Sequence, residues 1–129
     1  MIRGIDSILL SSEDATALAN FYKEKLGLKL SADGEGEMEG GDKVFMFDIG
    51  GKQLLAIADH SELHGKNSNP ARYMINFEVE GDIESKIEKL EADGVKKIGG
   101  LHHIEGYGKI CTFEDPDGNY FQLVQIRES

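Results

Sequence analysis

Phe21-Tyr22-Lys23-Glu24-Lys25-Leu26-Gly27-Leu28 reads as the end of a helix running into a strand. Upstream, Ser12-Glu13-Asp14 offers an N-cap and early negative charge, and Ala15 to Leu26 carries apolar residues at helical spacing through Leu18, Phe21, Tyr22 and Leu26. Gly27 stops that helix. Before it, Gly4 to Ser12 is a short β-type run with Ile8 and Leu10 on one face, and after it Leu28 to Ser31 predicts a second strand. Asp33 to Asp42, rich in Gly and Glu, reads as a loop or hairpin connection. Val44 to Ile49 and Gln53 to Ala58 then flank Gly50-Gly51, which signals a hairpin.

The second half repeats this order. A strand over Tyr73 to Val79 leads to a helix from about Asp82 to Ala92, a stop at Gly94 and a strand over Val95 to Ile98. Further strands follow around Lys109 to Phe113 and Tyr120 to Ile126. An offset of 67 positions brings Gly27 onto Gly94, Leu10 onto Phe77, Asp48 onto Asp115 and Gly51 onto Gly118. The chain therefore reads as one α+β domain over residues 1–129, built from two βαβββ repeats. Repeat one covers about 1–58, a linker about 59–71, and repeat two about 72–129.

Composition agrees with that reading. The 129 residues include 16 glycines and two prolines, a balance that favours tight turns over long helices. With 40% hydrophobic residues the chain can bury a core despite a net charge of −10, from 24 acids against 14 Lys and Arg. The acids are spread along the chain and no basic face is available, which argues against nucleic acid and anionic membrane as partners. No apolar run approaches a membrane span, and Met1-Ile2-Arg3-Gly4-Ile5-Asp6 does not resemble a signal peptide. One cysteine, Cys111, excludes an intramolecular disulfide framework and a CxxC motif. A cytoplasmic protein is expected.

Each repeat supplies four strands and one helix, so each sheet can cover one face with its helix and turn the other inward, forming a cup. If Ile8, Leu10, Ile75, Phe77, Phe121 and Leu123 pack under the helices, alternation turns Ser7, Leu9, Leu55, Ile57, Met74, Asn76, Gln122 and Val124 toward the cup. Phe45 or Phe47 and Thr112 are further candidates. A one-residue error in register would invert this assignment.

The order βαβββ–βαβββ, the helix ending Phe21-Tyr22-Lys23-Glu24-Lys25-Leu26-Gly27-Leu28, and the turn Phe113-Glu114-Asp115-Pro116-Asp117-Gly118-Asn119 resemble the vicinal oxygen chelate superfamily. That superfamily includes glyoxalase I, bleomycin-resistance proteins, fosfomycin-resistance enzymes and extradiol dioxygenases. The likeness covers essentially the whole chain and implies a cupped, glyoxalase-like mixed sheet. It does not identify a reaction. The Asp-Pro-Asp-Gly-Asn segment itself reads as turn chemistry, since Pro116 restricts φ and the Asp side chains can bond nearby amides.

Catalytic members bind a divalent metal through His, Glu or Gln on the first and fourth strands of each repeat. The resemblance puts those positions at Ser7, Leu55, Met74 and Gln122, and the offset of 67 agrees by relating 7 to 74 and 55 to 122. Leucine has no donor atom, a thioether suits soft copper, and a neutral hydroxyl is a poor ligand for hard ions. Only Gln122 could serve, so no metal and no other cofactor is expected. None of the acids falls on a ligand position.

Four histidines could build a displaced site. His60 and His64, at i, i+4 spacing in the linker, read as solvent exposed. His102-His103 lies between Gly99-Gly100 and Gly106-Tyr107-Gly108 and reads as a flexible loop that could close over the cup, giving His103 and Tyr107 rim contacts. Cys111 alternates with apolar neighbours and reads as a small buried hydrophobe. No GxSxG, P-loop or Rossmann signature is present.

These features lead to a protein that binds a small organic ligand in an apolar cup without a catalytic metal. Its expected binding residues are Ser7, Leu9, Leu55, Ile57, Met74, Asn76, Thr112, Gln122, Val124, His103 and Tyr107. The acidity permits a cationic ligand, and a homodimer is expected. The alternative is a glyoxalase-like lyase or isomerase using a divalent metal at displaced ligands, and enzymatic activity is left open between the two.

Overall fold

A computed structural model describes residues 1–37, 40–51 and 53–126. The chain is α+β and divides into two compact units, Met1–Gly65 and Lys66–Ser129. Unit 1 runs β1 (Ser7–Ser12), α1 (Ala15–Glu24), β2 (Lys29–Glu37), β3 (Lys43–Asp48) and β4 (Leu54–Asp59). Unit 2 runs β5 (Ile75–Glu78), α2 (Ile83–Ala92), β6 (Lys96–Ile104), β7 (Gly108–Glu114) and β8 (Tyr120–Ile126). The sheet orders are β1-β4-β3-β2 and β5-β8-β7-β6, with the first and fourth strands of each unit parallel and the remaining pairs antiparallel. These are the two expected βαβββ repeats, each an open mixed sheet with one helix.

Three expected boundaries shift. β2 continues to Glu37 instead of ending at Ser31, because a register shift between Leu30 and Glu35 lets the pairing with β3 resume. Gly34 permits this bulge: a Cβ there would stand 2.6 Å from the Met46 carbonyl oxygen. Part of the expected Asp33–Asp42 connection, Met38 and Glu39, lies outside the described residues, as do Lys52 and the last residues of repeat two, 127–129. His102 and His103 stand in β6, not in a loop, since that strand also resumes beyond a bulge and pairs them with Ile110 and Lys109. Finally, β5 begins at Ile75, so Met74 precedes the strand.

Each helix sits where its sheet holds its first turn. Asp14 caps α1 by accepting from the Ala17 amide at 3.1 Å, and Asp82 caps α2 by accepting from Glu84 and Ser85 at 3.3 and 3.2 Å. The first helical amide, which the cap does not reach, is satisfied from across the unit. Ala15 N–H donates to Asp59 Oδ1 at 2.8 Å in unit 1, and Ile83 N–H donates to Gln125 Oε1 at 2.9 Å in unit 2. Asp59 also accepts from the Lys43 amide through Oδ2 at 2.8 Å. α1 thus lies against β1, β3 and β4, and α2 against β6 and β8.

Under α1 the core consists of Leu18, Ala19 and Tyr22 with Phe45, Phe47, Leu55 and Ile57; under α2 it consists of Ile83, Ile87 and Leu90 with Cys111, Phe113, Phe121 and Leu123. Phe113 and Phe121 stack with centroids 5.8 Å apart, and Phe77 meets Phe121 edge-on at 6.0 Å. The buried Asp115 organises the β7–β8 turn: its carboxylate accepts from the Asp117 and Asn119 amides and from Asn119 Nδ2. The segment after Gly65 docks there, with Asn67 N–H donating to the Asp117 carbonyl at 2.8 Å. Gly118, at φ +79°, lies so near that an added Cβ would be 3.0 Å from Lys66 Cβ. Among the described residues no helix is long and apolar enough to cross a membrane.

The helix anchors set two expectations. Asp59→Ala removes an acceptor from two backbone amides and should cost about 1–3 kcal/mol in urea unfolding, more than Gln125→Ala, which orphans one amide. In unit 2, Lys109 Nζ donates to Glu84 Oε2 at 2.9 Å, and this bond chiefly holds the Glu84 carboxyl down from its ordinary 4.5 to about 2. A depressed carboxylate contributes its stabilisation above the ordinary range and loses it as pH falls from about 4.5 through about 2. Carbon-13 NMR titration should therefore find Glu84 ionising near 2, and Lys109→Met should return it toward 4.5.

Candidate functional site

Strand pairing decides which side chains lie on the face away from each helix. Asp59 and Gln125 reach the helix ends, so residues sharing their parity along β4 and β8 are helix-facing. In unit 1 this places Leu55 and Ile57 under α1. Their register partners agree: Ile8 pairs with Leu55 and Leu10 with Ile57, while Phe47 pairs with Leu55 and Phe45 with Ile57.

The expected positions of Leu55 and Ile57 beside Leu9 are therefore corrected. Both are 0% exposed core residues, and Phe45 and Phe47 join them instead of lining an open face. The cause is a one-residue difference between repeats. Ile8 pairs with Leu55 but Ile75 pairs with Phe121, so the first strands are offset by 67 and the fourth strands by 66. The residue is lost between β6 and β7: Lys29 pairs with Asp48, and its counterpart Lys96 with Glu114. Since side chains alternate with period two, an offset of 67 applied to β4 selects the wrong face.

The open face of the first sheet carries rows of register partners. Leu9, Ala56 and Met46 form the central one; Ser7, Leu54 and Asp48 flank it on one side, and Ser11, Ala58 and Val44 on the other. Leu9 is 60% exposed. The sequence reading missed Leu54, Ala56 and Met46. A signal was present in Leu54-Leu55-Ala56-Ile57-Ala58, where bulky Leu55 and Ile57 alternate with the small Ala56 and Ala58.

The second sheet matches its expected face more closely. Its central row is Asn76, Gln122, Thr112 and Ile98, flanked by Glu78, Val124, Ile110 and His102, and on the other side by Tyr120, Glu114 and Lys96. Gln122 Nε2 donates to Thr112 Oγ1 at 2.9 Å, which holds the amide across the sheet. Asn76 is exposed, Gln122 and Thr112 half-buried, and Val124 nearly inaccessible at 2%. Lys96 Nζ lies 3.5 Å from Glu114 Oε2. His103 is corrected: as the partner of Lys109, which in turn pairs with Gln125, it lies on the helix-facing side, and His102 takes the open one. Tyr107 is exposed in the β6–β7 turn, where its amide donates to the Ile104 carbonyl at 3.0 Å.

With the register corrected, the positions implied for a divalent metal hold Ser7, Ala56, Met74 and Gln122. A methyl group, a thioether, a neutral hydroxyl and one amide do not form a donor set for a hard cation. His60 Nδ1 accepts from the Glu62 amide at 3.2 Å, and His64 Nδ1 lies 3.6 Å from Glu13 Oε2. Among the described residues no three His, Cys, Asp or Glu side chains are grouped to hold an ion. The buried thiol of Cys111 is pushed up by desolvation, which disfavours the thiolate.

The face assignment has a direct test. Leu55→Ala should destabilise by about 2–5 kcal/mol, as large-to-small changes in a packed core do. Leu9→Ala, on the opposite face, should change stability by no more than about 0.5 kcal/mol in the same denaturant experiment.

The family model for the Glyoxalase/Bleomycin resistance protein/Dioxygenase superfamily matches residues 4–123. The uncharacterized protein YetH of Bacillus subtilis (strain 168) is 29% identical over 128 residues, covering 97% of this chain and 100% of that one. Among solved structures, a glyoxalase family protein from Enterococcus faecalis is 29% identical with a TM-score of 0.68, covering 95% of this chain and 98% of that one. A glyoxalase/dioxygenase from Nostoc punctiforme is 22% identical with a TM-score of 0.78, covering 98% and 92%. The genomically encoded fosfomycin resistance protein FosX of Listeria monocytogenes is 19% identical with a TM-score of 0.74, covering 98% and 96%. The last two likenesses concern the fold. Two βαβββ units and a family match over nearly the whole chain agree: this chain belongs to the Glyoxalase/Bleomycin resistance protein/Dioxygenase superfamily.

Proposed function

We propose that this protein binds a small organic ligand on the open faces of its sheets and does so without a catalytic metal. The observation that carries the reading is the chemistry of each face taken by itself: apolar Leu9 and Met46 on the first sheet and, on the second, Ile110 next to a neutral polar pair, Gln122 and Thr112, already hydrogen-bonded. Apolar area supplies affinity for an organic molecule, and a few oriented polar groups supply selectivity. Ser7, Leu9, Met74, Asn76, Thr112 and Gln122 remain the proposed contacts. Leu54 replaces Leu55 and Ile57, Ala56 between them being only 7% exposed, and His102 replaces His103. The reading includes a cytoplasmic homodimer, for which the acidic surface and single buried cysteine are suited.

A second reading, a metal-dependent lyase or isomerase with displaced ligands, draws on His102 sharing a face with Gln122. Two measurements separate them. Metal analysis of gently purified protein should find no stoichiometric Ni, Zn, Mn or Fe, and a thermal screen should find an apolar or cationic compound that raises Tm. At a hundredfold excess over Kd such a compound adds about 2.7 kcal/mol, a shift of several degrees. One tightly held ion per chain, together with a hemithioacetal-converting rate lost on chelation, would establish the lyase reading instead.

A further inference from the structure

We infer that the open face of the second sheet selects an uncharged ligand bearing a carboxamide-type edge, a carbonyl beside an N–H, and rejects the corresponding carboxylate. This rests on the binding reading above and names the chemistry of its ligand.

The inference starts from a difference between two equivalent rows. Leu9 and Asn76 are counterparts on the first strands, Ala56 and Gln122 on the fourth, and Met46 and Thr112 on the third. The first sheet thus has an apolar row where the second has two amides and a hydroxyl in direct register. Nothing in the strand scaffold requires polarity there, since the same three places in unit 1 fold with Leu, Ala and Met.

The bonding within the row determines what it offers. Gln122 spends one N–H on Thr112 Oγ1, which leaves the Gln122 carbonyl oxygen and second N–H for an outside partner. Thr112, having accepted, can donate its own O–H. Exposed Asn76, directly opposite Gln122, adds another acceptor and two donors. Donors and acceptors therefore alternate over neighbouring strands, which complements a planar edge that both donates and accepts. A carboxylate has acceptors only, so the Gln122 carbonyl, whose amide is held by Thr112, would be left facing it unpaired.

Charge points the same way. The row holds no cation, and the flanking rows place Glu78 and Glu114 on this face. Lys96, the one lysine in these rows, already lies by Glu114. An anion would meet the negative potential of Glu78 and Glu114, with Lys96 and His102 only in the flanking rows, and a cation would find its carboxylates only outside the row that supplies the hydrogen bonds. On either side Tyr120 and Ile110 give an apolar body something to cover.

The test uses four probes on one ring: benzamide, benzoate, benzamidine and toluene, titrated into the full chain and followed by amide chemical shifts. Benzamide should bind at least about tenfold more tightly than benzoate or benzamidine, with shifts centred on Asn76, Thr112 and Gln122. Gln122→Met should weaken benzamide about tenfold more than it weakens toluene, and Thr112→Val should do so in part by releasing the Gln122 amide. Circular dichroism checks that both variants fold. Equal or tighter binding of benzoate or benzamidine, or shifts indifferent to both substitutions, overturns the inference. If toluene binds while benzamide gains nothing over it, the inference fails and the binding reading stands. If no probe binds, the inference fails, and the broad thermal screen alone decides the binding reading.

Discussion

A single side-chain acceptor at the end of each fourth strand determines how its unit is assembled. Asp59 takes the first free amide of α1, and Gln125 takes the first free amide of α2. A buried helix start with an orphan N–H would lose on the order of 1–3 kcal/mol. Satisfying it from the fourth strand therefore ties the helix to one face of the sheet. The choice of face then propagates by alternation through every strand. Leu55 and Ile57 become core because Asp59 points toward α1, and Phe121 and Leu123 become core because Gln125 points toward α2. What lies opposite is thereby the open face, whose chemistry is free of the demands of packing under a helix.

Much of this was legible in the residues. The acid-led helix starts at Asp14 and Asp82, the β-type runs and the doubled order of elements all follow from local preferences and short-range patterns. Strand extent was less legible, because β2 and β6 both continue beyond a bulge that Gly-rich sequence disguises as a loop. The open face was legible on β5, β7 and β8 of the second unit, and in the first unit on β1 alone, at Ser7 and Leu9. In the second unit Gln122 and Thr112 are polar among apolar neighbours and so mark their own side. In the first, Leu54-Leu55-Ala56-Ile57-Ala58 is apolar at every step, so the local cue is only the alternation of bulky Leu55 and Ile57 with small Ala56 and Ala58, and the registration of one repeat on the other overrode it. That registration slips from 67 to 66 between the second and third strands. One deleted residue is negligible as homology and decisive as geometry.

The two units show how a repeated scaffold separates structural from adaptable positions. One helix-facing row remains apolar in both, Phe47 and Leu55 answering Phe113 and Phe121. The opposing rows diverge, Leu9-Ala56-Met46 against Asn76-Gln122-Thr112. An apolar row contributes burial and little discrimination, whereas a hydrogen-bonded amide row discriminates by leaving a mismatched partner unpaired. Each sheet thus carries its own open-face chemistry on a shared pattern of strands.

The acidity of the chain takes on a different meaning once the carboxylates are located. Asp14 and Asp82 cap helices, Asp59 holds two amides, Asp115 builds the β7–β8 turn, and Glu84 and Glu114 lie beside lysines. These acids are engaged with the backbone or with cations, and none is grouped in threes for metal coordination among the described residues. A net charge of −10 could be taken as capacity for divalent ions. Coordination, however, depends on several donors converging on one point, and here the carboxylates are distributed to helix starts, a turn and surface pairs. Charge that is dispersed in this way acts at longer range, as a negative field over the surface and not as a coordination site. The want of a grouped donor set among the described residues and the net negative field are thus two consequences of the same placement of acids.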